Sequence, residues 1–292
     1  MRVSIIGGAG KMGRWLTRYF VSRGHDVTIA DIDREKARRF ARSLGIRLAE
    51  NNSEAARSAD LIAICTPINT VSVIIDEILA DLGKSSAVME ISSVKSPVMS
   101  AMRKVALRGI RVLSIHPLFG PGVEDLSKER MALVPISDAT SEISFVERLF
   151  PEIEIVTVDA EVHDRAMALT LSLTHFINIV LASVLAEEDV KELKNLGGTT
   201  FAMQLLISES IMTENPGLYA SIQMSNPYTV RYLEKFLSKA CTLMRHISEK
   251  DEAKFSKLYN ETYAVLSKYE DLADSYEAMY RALKYIRNSC GQ

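Results

Sequence analysis

Short apolar runs alternate with helical patterns through the first half of this 292-residue chain. The first five runs are nearly continuous in apolar side chains, so both faces of the strands they form are predicted to be buried. Strands separated by helices are typical of βαβ units, which build a parallel sheet covered by helices. A doubly wound α/β fold is therefore predicted. The predicted strands are residues 3–6, 27–30, 61–65, 87–91, 112–116, 131–135 and 153–158, and the predicted helices between them are 12–22, 34–44, 71–82, 97–107 and 141–150.

Strand patterns stop after Asp159, and long helical patterns fill the rest of the chain. Two domains are expected for this length, so we predict an α/β domain over residues 1–158 and an all-α domain over residues 159–292. The predicted helices of the second domain are residues 163–188, 193–214, 216–221 and 226–248, followed by a charged helical stretch from 249 to about 287.

The first of these helices carries no charged residue between positions 166 and 186. This length approaches that of a membrane-spanning helix. Its polar residues and the charges close to both ends favour a helix buried in protein, so no membrane contact is expected. A domain of this size cannot easily cover such a helix alone, and an obligate interface resembles a core cut in half. A homodimer through the helical domain is therefore expected.

Charge and cysteine content narrow the class of protein. The chain has 35 Lys and Arg against 37 Asp and Glu and no polybasic run, so nucleic acid is not an expected partner. Cys65, Cys241 and Cys290 are far apart and form no Cys-x-x-Cys pair. The N-terminus shows no signal-peptide pattern, so a cytoplasmic protein without disulfides is expected. No cluster has metal-ligand spacing, so no bound metal is expected.

The glycine pattern Gly8-x-Gly10-x-x-Gly13 follows the first predicted strand and opens a helix. In that position it predicts a dinucleotide-binding turn of the Rossmann type. Gly8 would permit the tight turn, Gly10 would let the backbone approach the pyrophosphate, and Gly13 would allow close helix packing. The first N–H groups of the helix would face the phosphates. The predicted cofactor-binding turn comprises Gly8, Ala9, Gly10, Lys11, Met12 and Gly13.

Asp31 follows the second predicted strand directly, 18 residues after Gly13. A carboxylate at this place hydrogen-bonds the ribose hydroxyls of NAD and would repel the 2′-phosphate of NADP, so NAD is the expected cofactor. Arg34 lies close by and would weaken this preference. Thr66 and Pro67 end the third predicted strand and would lie beside the cofactor, although a plain strand-to-helix turn explains them equally well.

The candidate catalytic residues follow two neighbouring predicted strands. Ser93 and Lys95 come after residues 87–91, and His116 ends residues 112–116. The carboxyl ends of parallel strands meet at one sheet edge, where open α/β sheets bind ligands. A histidine there can accept a proton from a substrate hydroxyl, and Ser93 would orient that histidine or hold the hydroxyl. A helix N-cap for Ser93, a solvated charge for Lys95 and a structural role for His116 stay open.

Two further histidines belong to the first helical pattern of the second domain. His163 and His175 are 12 residues apart. Each residue of an α-helix turns by 100° about the helix axis, so these two side chains would point about 120° apart on a regular helix. Both can reach one small ligand only if His163 precedes the helix. An unpaired ring is costly in apolar surroundings, so His175 contacts substrate or is a satisfied structural histidine, and the first is favoured.

Together these residues resemble the prephenate dehydrogenase family over essentially the whole chain. The form His-Pro-x-Phe-Gly-Pro is most similar to bacterial enzymes in which this unit is fused to a chorismate mutase. The resemblance implies NAD-dependent oxidative decarboxylation of prephenate to 4-hydroxyphenylpyruvate in tyrosine biosynthesis, by a dimer joined through its helical domain. The motifs that carry the resemblance are residues 7–13, 66–68, 93–95, 116–121, 161–164, 173–176 and 218–222.

The resemblance also implies roles for single residues. His116 would bind the ring hydroxyl and accept its proton, Ser93 would position His116, and His175 would hold the substrate from the helical side. Related fused enzymes carry two arginines upstream of the Leu-Tyr-Ala motif, and the second pairs with a substrate carboxylate. Ala202 and Ser210 stand at those positions here.

A dianionic substrate still needs cations, and arginine is the usual partner of a carboxylate. Either another basic residue replaces the missing arginines, or the substrate is arogenate, which carries an amino group where prephenate has a keto group. Arg165 is the first choice and joins His163 in the candidate substrate site, although an ordinary ion pair explains Arg165 as well. The other candidates are Lys194, Arg231 and Arg245.

Two other functions stay open. A different NAD(P)-dependent β-hydroxyacid dehydrogenase would share the two-domain plan but uses a lysine on the long central helix as its base. Here Lys191 and Lys194 come only near the end of that helical pattern, which counts against it. A non-enzymatic NAD-sensing protein would need the glycine turn but not His116.

Overall fold

The structure of the protein, a computed structural model, describes residues 1–57, 59–269 and 271–289, so Cys290 lies outside the described residues. Contacts between Cα atoms divide the chain into two units. The first contains Met1–Ala168 and Gly217–Tyr228, and the second contains Leu169–Pro216 and the described residues from Thr229 onward.

One sheet of eight strands forms the centre of the first unit. The strands are β1 (Arg2–Ile6), β2 (Asp26–Ala30), β3 (Arg47–Leu48), β4 (Leu61–Ile64), β5 (Ala87–Glu90), β6 (Arg111–Pro117), β7 (Arg130–Leu133) and β8 (Glu154–Thr157). They lie in the order β3-β2-β1-β4-β5-β6-β7-β8. The β6–β7 pair is antiparallel and the other pairs are parallel, which confirms the predicted Rossmann-type α/β fold.

Burial explains why the strand predictions succeeded. Every residue of the central strands β4 and β5 is buried, as expected for apolar runs covered on both faces. Each large aliphatic side chain buried there contributes about 1.5–3 kcal/mol to stability. All seven predicted strands are present, with ends within two residues of the predicted ones. The short strand β3 was not predicted, because two residues show no periodic pattern.

Fourteen helices are present in the described part of the chain, together with a 3₁₀ turn at Leu126–Lys128. The carboxylate of Asp159 accepts a hydrogen bond from the N–H of Glu161 and so caps the start of the helix Ala160–Met167. The helices are α1 (Lys11–Ser22), α2 (Arg34–Leu44), α3 (Asn52–Arg57), α4 (Ile68–Ile78), α5 (Met99–Ala106), α6 (Ala139–Leu149), α7 (Ala160–Met167), α8 (Thr174–Leu185), α9 (Val190–Leu196), α10 (Thr199–Met212), α11 (Pro216–Ser225), α12 (Thr229–Ser248), α13 (Glu252–Leu266) and α14 (Leu272–Ser289).

Two predicted helical stretches of the second half are each divided in two. The stretch 193–214 is broken at Gly197 and Gly198, which separate α9 from α10. Glycine costs a helix interior about 1 kcal/mol relative to alanine, and a Cβ atom on Gly197 would lie 2.2 Å from the ring of Phe201. The stretch from 249 to 287 likewise forms α13 and α14. The prediction of continuous helices was wrong in both places.

The apolar segment of the second half forms a helix, as predicted. Helix α7, a π-helical segment (Ala168–Leu173) and α8 run together as one helix, Ala160–Leu185, which is long and apolar enough to cross a membrane by length and composition alone. Only 17% of the most apolar 18-residue stretch of this helix is buried within the chain. The side chains of Val180 and Val184 are 44% and 57% exposed. A single chain therefore leaves most of this helix uncovered, and its burial in a dimer stays a prediction.

Candidate active site

The turn between β1 and α1 bends at Gly7. This glycine has φ +83°, a value that strains any residue with a Cβ atom. The N–H groups of Gly7 and Gly8 both donate to the carbonyl oxygen of Ala30, at 2.8 and 3.1 Å. A Cβ atom on Gly8 would lie 2.6 Å from Cβ of Ile29. Gly7 thus makes the tight turn that was predicted for Gly8, and Gly8 permits close packing on β2.

The other two glycines of the pattern keep the turn open to a ligand. A Cβ atom on Gly13 would lie 2.1 Å from the carbonyl oxygen of Gly7, and one on Gly10 would lie 3.3 Å from it. In the described residues no side chain caps α1 at Gly10, and the first N–H groups of a helix have no partner within it. Lys11 and Met12 form the first turn, with the Lys11 side chain exposed. This bare glycine surface fits the pyrophosphate of a dinucleotide.

Asp31 ties the glycine turn to the end of β2. Its Oδ2 atom accepts a hydrogen bond from the N–H of Ala9 at 2.8 Å, and its Oδ1 atom accepts one from the N–H of Asp33 at 2.9 Å. A carboxylate oxygen can accept more than one bond, so both atoms can still receive a ribose hydroxyl. The guanidinium of Arg34 donates to the carbonyl oxygen of Ala49, just beyond β3.

The turn of Thr66 and Pro67 lies against the glycine turn. A Cβ atom on Gly7 would lie 2.9 Å from Cγ2 of Thr66. The hydroxyl of Thr70 donates to that of Thr66 at 3.0 Å, and Pro67 directly precedes α4. The structure therefore places Thr66 beside the predicted cofactor site.

His116 lies near the end of β6 and is 6% exposed. Its Nδ1 atom lies 3.1 Å from Nε2 of His163, and Nδ1 of His163 lies 2.8 Å from Oδ1 of Asp164. His163 and Asp164 belong to α7, so His163 lies inside the helix and not ahead of it. The structure thus brings together two predicted site residues that are 47 positions apart in sequence.

Asp164 is held by the loop that follows β5. Its carboxylate accepts hydrogen bonds from the backbone N–H groups of Lys95 and Ser96, each at 2.7 Å, and from the Ser96 hydroxyl at 2.5 Å. Burial alone would raise the pKa of this carboxyl group, but hydrogen bonds from His163 and Ser96 outweigh burial and hold the pKa below its usual value. Asp164 is therefore ionised at neutral pH.

The carboxylate of Asp164 fixes the tautomers of both rings. A carboxylate only accepts hydrogen bonds, so Nδ1 of His163 carries a hydrogen atom. In a neutral His163 ring, Nε2 then has a lone pair and accepts a hydrogen bond from Nδ1 of His116. Nε2 of His116 is left with a lone pair, which is what a general base requires.

A buried ion pair lies beside His116 on the same edge of the sheet. Nζ of Lys95 lies 2.6 Å from Oε1 of Glu90, with both side chains 0% exposed. The same Nζ donates to the carbonyl oxygen of Ile115 at 2.6 Å, and the Ser114 hydroxyl donates to Oε1 of Glu90. Burial lowers the pKa of Lys95, while the charge and the hydrogen bond of Glu90 oppose this effect and favour the ammonium form. Lys95 is thus a buried structural residue paired with Glu90, and the alternative of a solvated charge was wrong.

Burial and charge keep His116 neutral. Removal from water disfavours the imidazolium form, and repulsion by Lys95 and His163 adds to this, so the pKa of His116 lies well below its usual value of 6.5. The Asp164 carboxylate acts in the opposite direction without cancelling the effect. His116 is therefore a neutral imidazole at pH 7, ready to accept a proton.

Ser93 lies half-buried in the loop after β5. The Nδ1 atom of His116, which a positioning residue would hold, is bonded to His163 instead. The neighbouring Ser92 has a buried hydroxyl with no hydrogen-bond partner in the described residues. The orienting role of Ser93 stays a prediction, and the structure adds His163 as a residue that orients the ring.

The sequence alone did not indicate Asp164, Glu90 or Ser96. The motif at 161–164 contains Asp164, but nothing in it shows that the carboxylate reaches the loop after β5. A charged residue inside a predicted buried strand was the available signal for Glu90, because such a residue needs a buried partner. Ser96 is one of many serines and carried no signal.

The basic residues proposed for the substrate carboxylates are exposed or paired. Arg165 is exposed on α7, and Arg231 and Arg245 are exposed on α12. Nζ of Lys194 lies 2.7 Å from a carboxylate oxygen of Glu209, so this candidate already has a partner.

His175 lies in the second unit, on α8, and is half-buried. Burial lowers the pKa of its ring, so His175 is neutral at pH 7. The π-helical segment before α8 has a wider turn than an α-helix, so the angle of 120° predicted between His163 and His175 does not apply. Ala202 and Ser210 both lie on α10.

Comparison with known proteins assigns the chain to a family. A family model described as "Prephenate dehydrogenase, nucleotide-binding domain" matches residues 16–158. A second, described as "Prephenate dehydrogenase, dimerization domain", matches residues 159–261. The two matches meet where the strand patterns of the sequence stop.

Similar proteins carry related names. The "Probable arogenate/prephenate dehydrogenase" of Methanocaldococcus jannaschii is 30% identical over 268 residues, which are 89% of this chain and 60% of that protein's length. The 4-amino-4-deoxyprephenate dehydrogenase of Streptomyces pristinaespiralis is 25% identical over 92% of each chain. The solved structure of prephenate dehydrogenase from A. aeolicus with hydroxyphenyl propionate and NAD+ has the same fold, with a TM-score of 0.74 at 20% identity over 92% of this chain and 98% of that one. This chain belongs to the prephenate dehydrogenase family.

Proposed function

We propose that this chain is an NAD-dependent dehydrogenase that converts prephenate to 4-hydroxyphenylpyruvate by oxidative decarboxylation, a step of tyrosine biosynthesis. The observation that carries the proposal is the geometry of His116, a buried neutral histidine whose bond to His163 leaves the Nε2 lone pair free. Family membership supplies the reaction class, and the glycine turn fits the cofactor.

In this reaction the side chains of the protein transfer the proton of the ring hydroxyl. Nε2 of His116 accepts the hydroxyl proton while the ring carbon that carries this hydroxyl loses a hydride, which a bound nicotinamide would accept. The C–C bond to the ring carboxylate breaks, and its electron pair completes the aromatic ring as carbon dioxide leaves. The phenolic oxygen then takes the proton back from His116, so no net proton is released.

Asp31 supports NAD over NADP as the cofactor. Its carboxylate stands at the end of β2, beside the glycine turn, and can accept bonds from ribose hydroxyls. A 2′-phosphate at the same place would meet this negative charge. Arg34, which would offset it, donates to a backbone carbonyl oxygen.

Arogenate is a second candidate substrate, favoured by one observation. Prephenate carries two carboxylates, and burying one without a cation is costly. Ala202 and Ser210 offer no charge. Arogenate carries an amino group that offsets one negative charge, so it needs fewer cations from the protein. The name of the similar protein from Methanocaldococcus jannaschii includes both substrates.

The carboxylate-binding residue is testable by alanine variants of the four basic candidates. Arg165→Ala is expected to raise the KM for prephenate far more than it changes NAD binding, since an exposed guanidinium is free to reach a ligand. Lys194→Ala serves as the comparison, because Lys194 is already paired. Unchanged KM values in all four variants would show that His175, hydroxyls and backbone N–H groups hold the carboxylate.

A homodimer through the helical domain is part of the proposal. The second unit leaves apolar side chains open on α8 and α10, with Val184 at 57%, Leu206 at 40% and Ile207 at 42% exposed. Sedimentation of the protein should give twice the mass of one chain. Val184→Glu should shift the protein toward the monomer, because an interface would bury that charge.

The direct test of the function is production of NADH from prephenate and from arogenate, each with NAD and with NADP. Turnover of prephenate with NAD is the expected result. Turnover of neither substrate would favour another activity of the same fold. Lys191 and Lys194 lie on the separate helix α9, so a lysine base on the long helix is not supported.

A further inference from the structure

His163 and Asp164 form a line of buried polar atoms behind His116, on the side away from Nε2. The proposal that follows rests on the proposed function, because it takes His116 as the base. We propose that His163 and Asp164 act as a proton relay for His116: as Nε2 of His116 takes up the substrate proton, the Nδ1 proton of His116 passes to Nε2 of His163.

The geometry suits such a transfer. The two ring nitrogens are 3.1 Å apart, a hydrogen-bond distance. The side chains of His163 and Asp164 are 1% and 0% exposed, so bulk water does not compete for the proton. Oδ1 of Asp164 is 2.8 Å from the far nitrogen of His163 and stabilises the imidazolium that forms there.

The relay moves positive charge from an unfavourable place to a favourable one. A proton kept on His116 would create a second cation near the buried ammonium of Lys95. After transfer the charge lies one ring farther away, in contact with the carboxylate of Asp164. In a dry site this difference in position has a large effect on the energy of the charged state.

Every atom and charge is accounted for in this step. The substrate O–H bond breaks and an N–H bond forms at Nε2 of His116. The Nδ1–H bond of His116 breaks and an N–H bond forms at Nε2 of His163. The net charge of the three side chains rises from −1 to 0. When the phenolic oxygen takes its proton back, both transfers reverse.

Neighbouring charges decide how the relay responds to pH. The ammonium of Lys95, paired with Glu90, opposes protonation of His116. Asp164 favours protonation of His116, and Tyr228 interacts electrostatically with Asp164. At low pH, Nε2 of His116 in the free enzyme takes up a proton from solution. This nitrogen can then no longer accept the proton of the substrate hydroxyl. The acid limb of the kcat/KM profile, which is its decline at low pH, therefore reports on protonation of Nε2 of His116.

Asp164→Asn tests the relay, with Glu142→Gln as a matched control. Glu142 is also a buried carboxylate that accepts backbone N–H groups, from Ile136, Ser137 and Asp138, but it lies on α6 and contacts neither ring. We expect kcat/KM of Asp164→Asn to fall by roughly tenfold to hundredfold. Its acid limb should move to lower pH, because the Asp164 carboxylate favours protonation of His116 and that charge is lost.

In Glu142→Gln the acid limb of kcat/KM should stay at the pH of the unmodified protein, even if the melting temperature is lower. A purely structural role of Asp164 would lower stability or kcat/KM and leave the acid limb in place. An unmoved acid limb in Asp164→Asn would therefore overturn the relay. His163→Asn provides a second variant, with the same expected loss of rate.

Nitrogen-15 NMR of the histidines in the free protein tests the relay without turnover. The chain has five histidines, so variants His116→Asn and His163→Asn assign the two resonances that matter. At pH 7.5 both rings should carry hydrogen at Nδ1 and a lone pair at Nε2. A hydrogen at Nε2 of His116 would overturn the relay. Failure of the proposed function would look different, since the unmodified protein would then turn over neither prephenate nor arogenate.

Discussion

Nζ of Lys95 donates a hydrogen bond to the carbonyl oxygen of Ile115 at 2.6 Å, directly before His116 in β6. The same ammonium is paired with Glu90. One buried cation thus fixes the strand end that carries His116 and also repels a proton from its ring. The position of the base and its protonation state depend on the same side chain.

Lys95→Met should move the acid limb of kcat/KM to higher pH. Loss of the ammonium removes a repulsion, so the pKa of His116 rises toward its usual value of 6.5. This shift is opposite to the one expected for Asp164→Asn. A pH profile of kcat/KM measures it, and an acid limb that moves down or stays in place would contradict the electrostatic role of Lys95.

The same variant should be destabilised by about 3–5 kcal/mol, because it leaves the buried Glu90 carboxylate without its partner. Urea unfolding measures the loss. The double variant Lys95→Met/Glu90→Gln is the control and should recover part of it, since no unpaired charge is left. Equal losses in the single and double variants would show that the ion pair itself matters little.

The free energy of unfolding should decrease as the pH drops below about 6.5, because His116 is buried in its neutral form. Its pKa in the folded protein lies well below 6.5, so only the unfolded chain gains a proton as the pH falls through 6.5. Above pH 6.5 this group adds no pH dependence, and below it the loss approaches about 1.4 kcal/mol per pH unit. His116→Asn should flatten this slope in urea unfolding between pH 7 and pH 5.5. A slope as steep as in the unmodified protein would contradict the assignment.

Gly13→Ala should weaken NAD binding at least about tenfold and lower the melting temperature, since its Cβ atom would lie 2.1 Å from the carbonyl oxygen of Gly7. Gly122→Ala is the matched control, because a Cβ atom there meets nothing within 4 Å. Titration of NAD by calorimetry, with a thermal melt of each variant, checks both effects. Normal NAD affinity in Gly13→Ala would show that the turn tolerates displacement of α1.

Asp31→Ala should weaken NAD and improve the relative use of NADP, because the ribose acceptor and the repulsion of a 2′-phosphate are lost together. Asp33→Asn is the control on the same loop, since asparagine can still cap α2. The ratio of kcat/KM for the two cofactors is the measurement. A preference for NADP in the unmodified protein would refute the assignment of Asp31.

The parts of the fold that could be predicted are those set by local pattern. The runs around β4 and β5 are apolar because both faces are buried, so they read clearly as strands. The glycine spacing located the turn before α1, although Gly7 and not Gly8 has the positive φ. The pair Gly197 and Gly198 marked a helix end that continuous apolar periodicity concealed.

The parts that could not be predicted depend on contacts between distant segments. Asp164 reaches the N–H of Lys95 across 69 positions, and His116 meets His163 across 47. Periodicity and composition carry no information on such pairs. The π-helical segment after α7 likewise has no sequence signature, and it changes the turn of the helix that carries both His163 and His175.

The central claim is that His116 is the base, and His116→Asn tests it most directly. Asparagine can still hydrogen-bond the substrate hydroxyl but cannot accept its proton, so kcat should fall by about 10²–10⁴-fold. NAD affinity should stay unchanged, because the glycine turn and Asp31 are untouched. Steady-state production of NADH from prephenate, beside calorimetric binding of NAD, measures both quantities. A turnover near that of the unmodified protein would contradict the account.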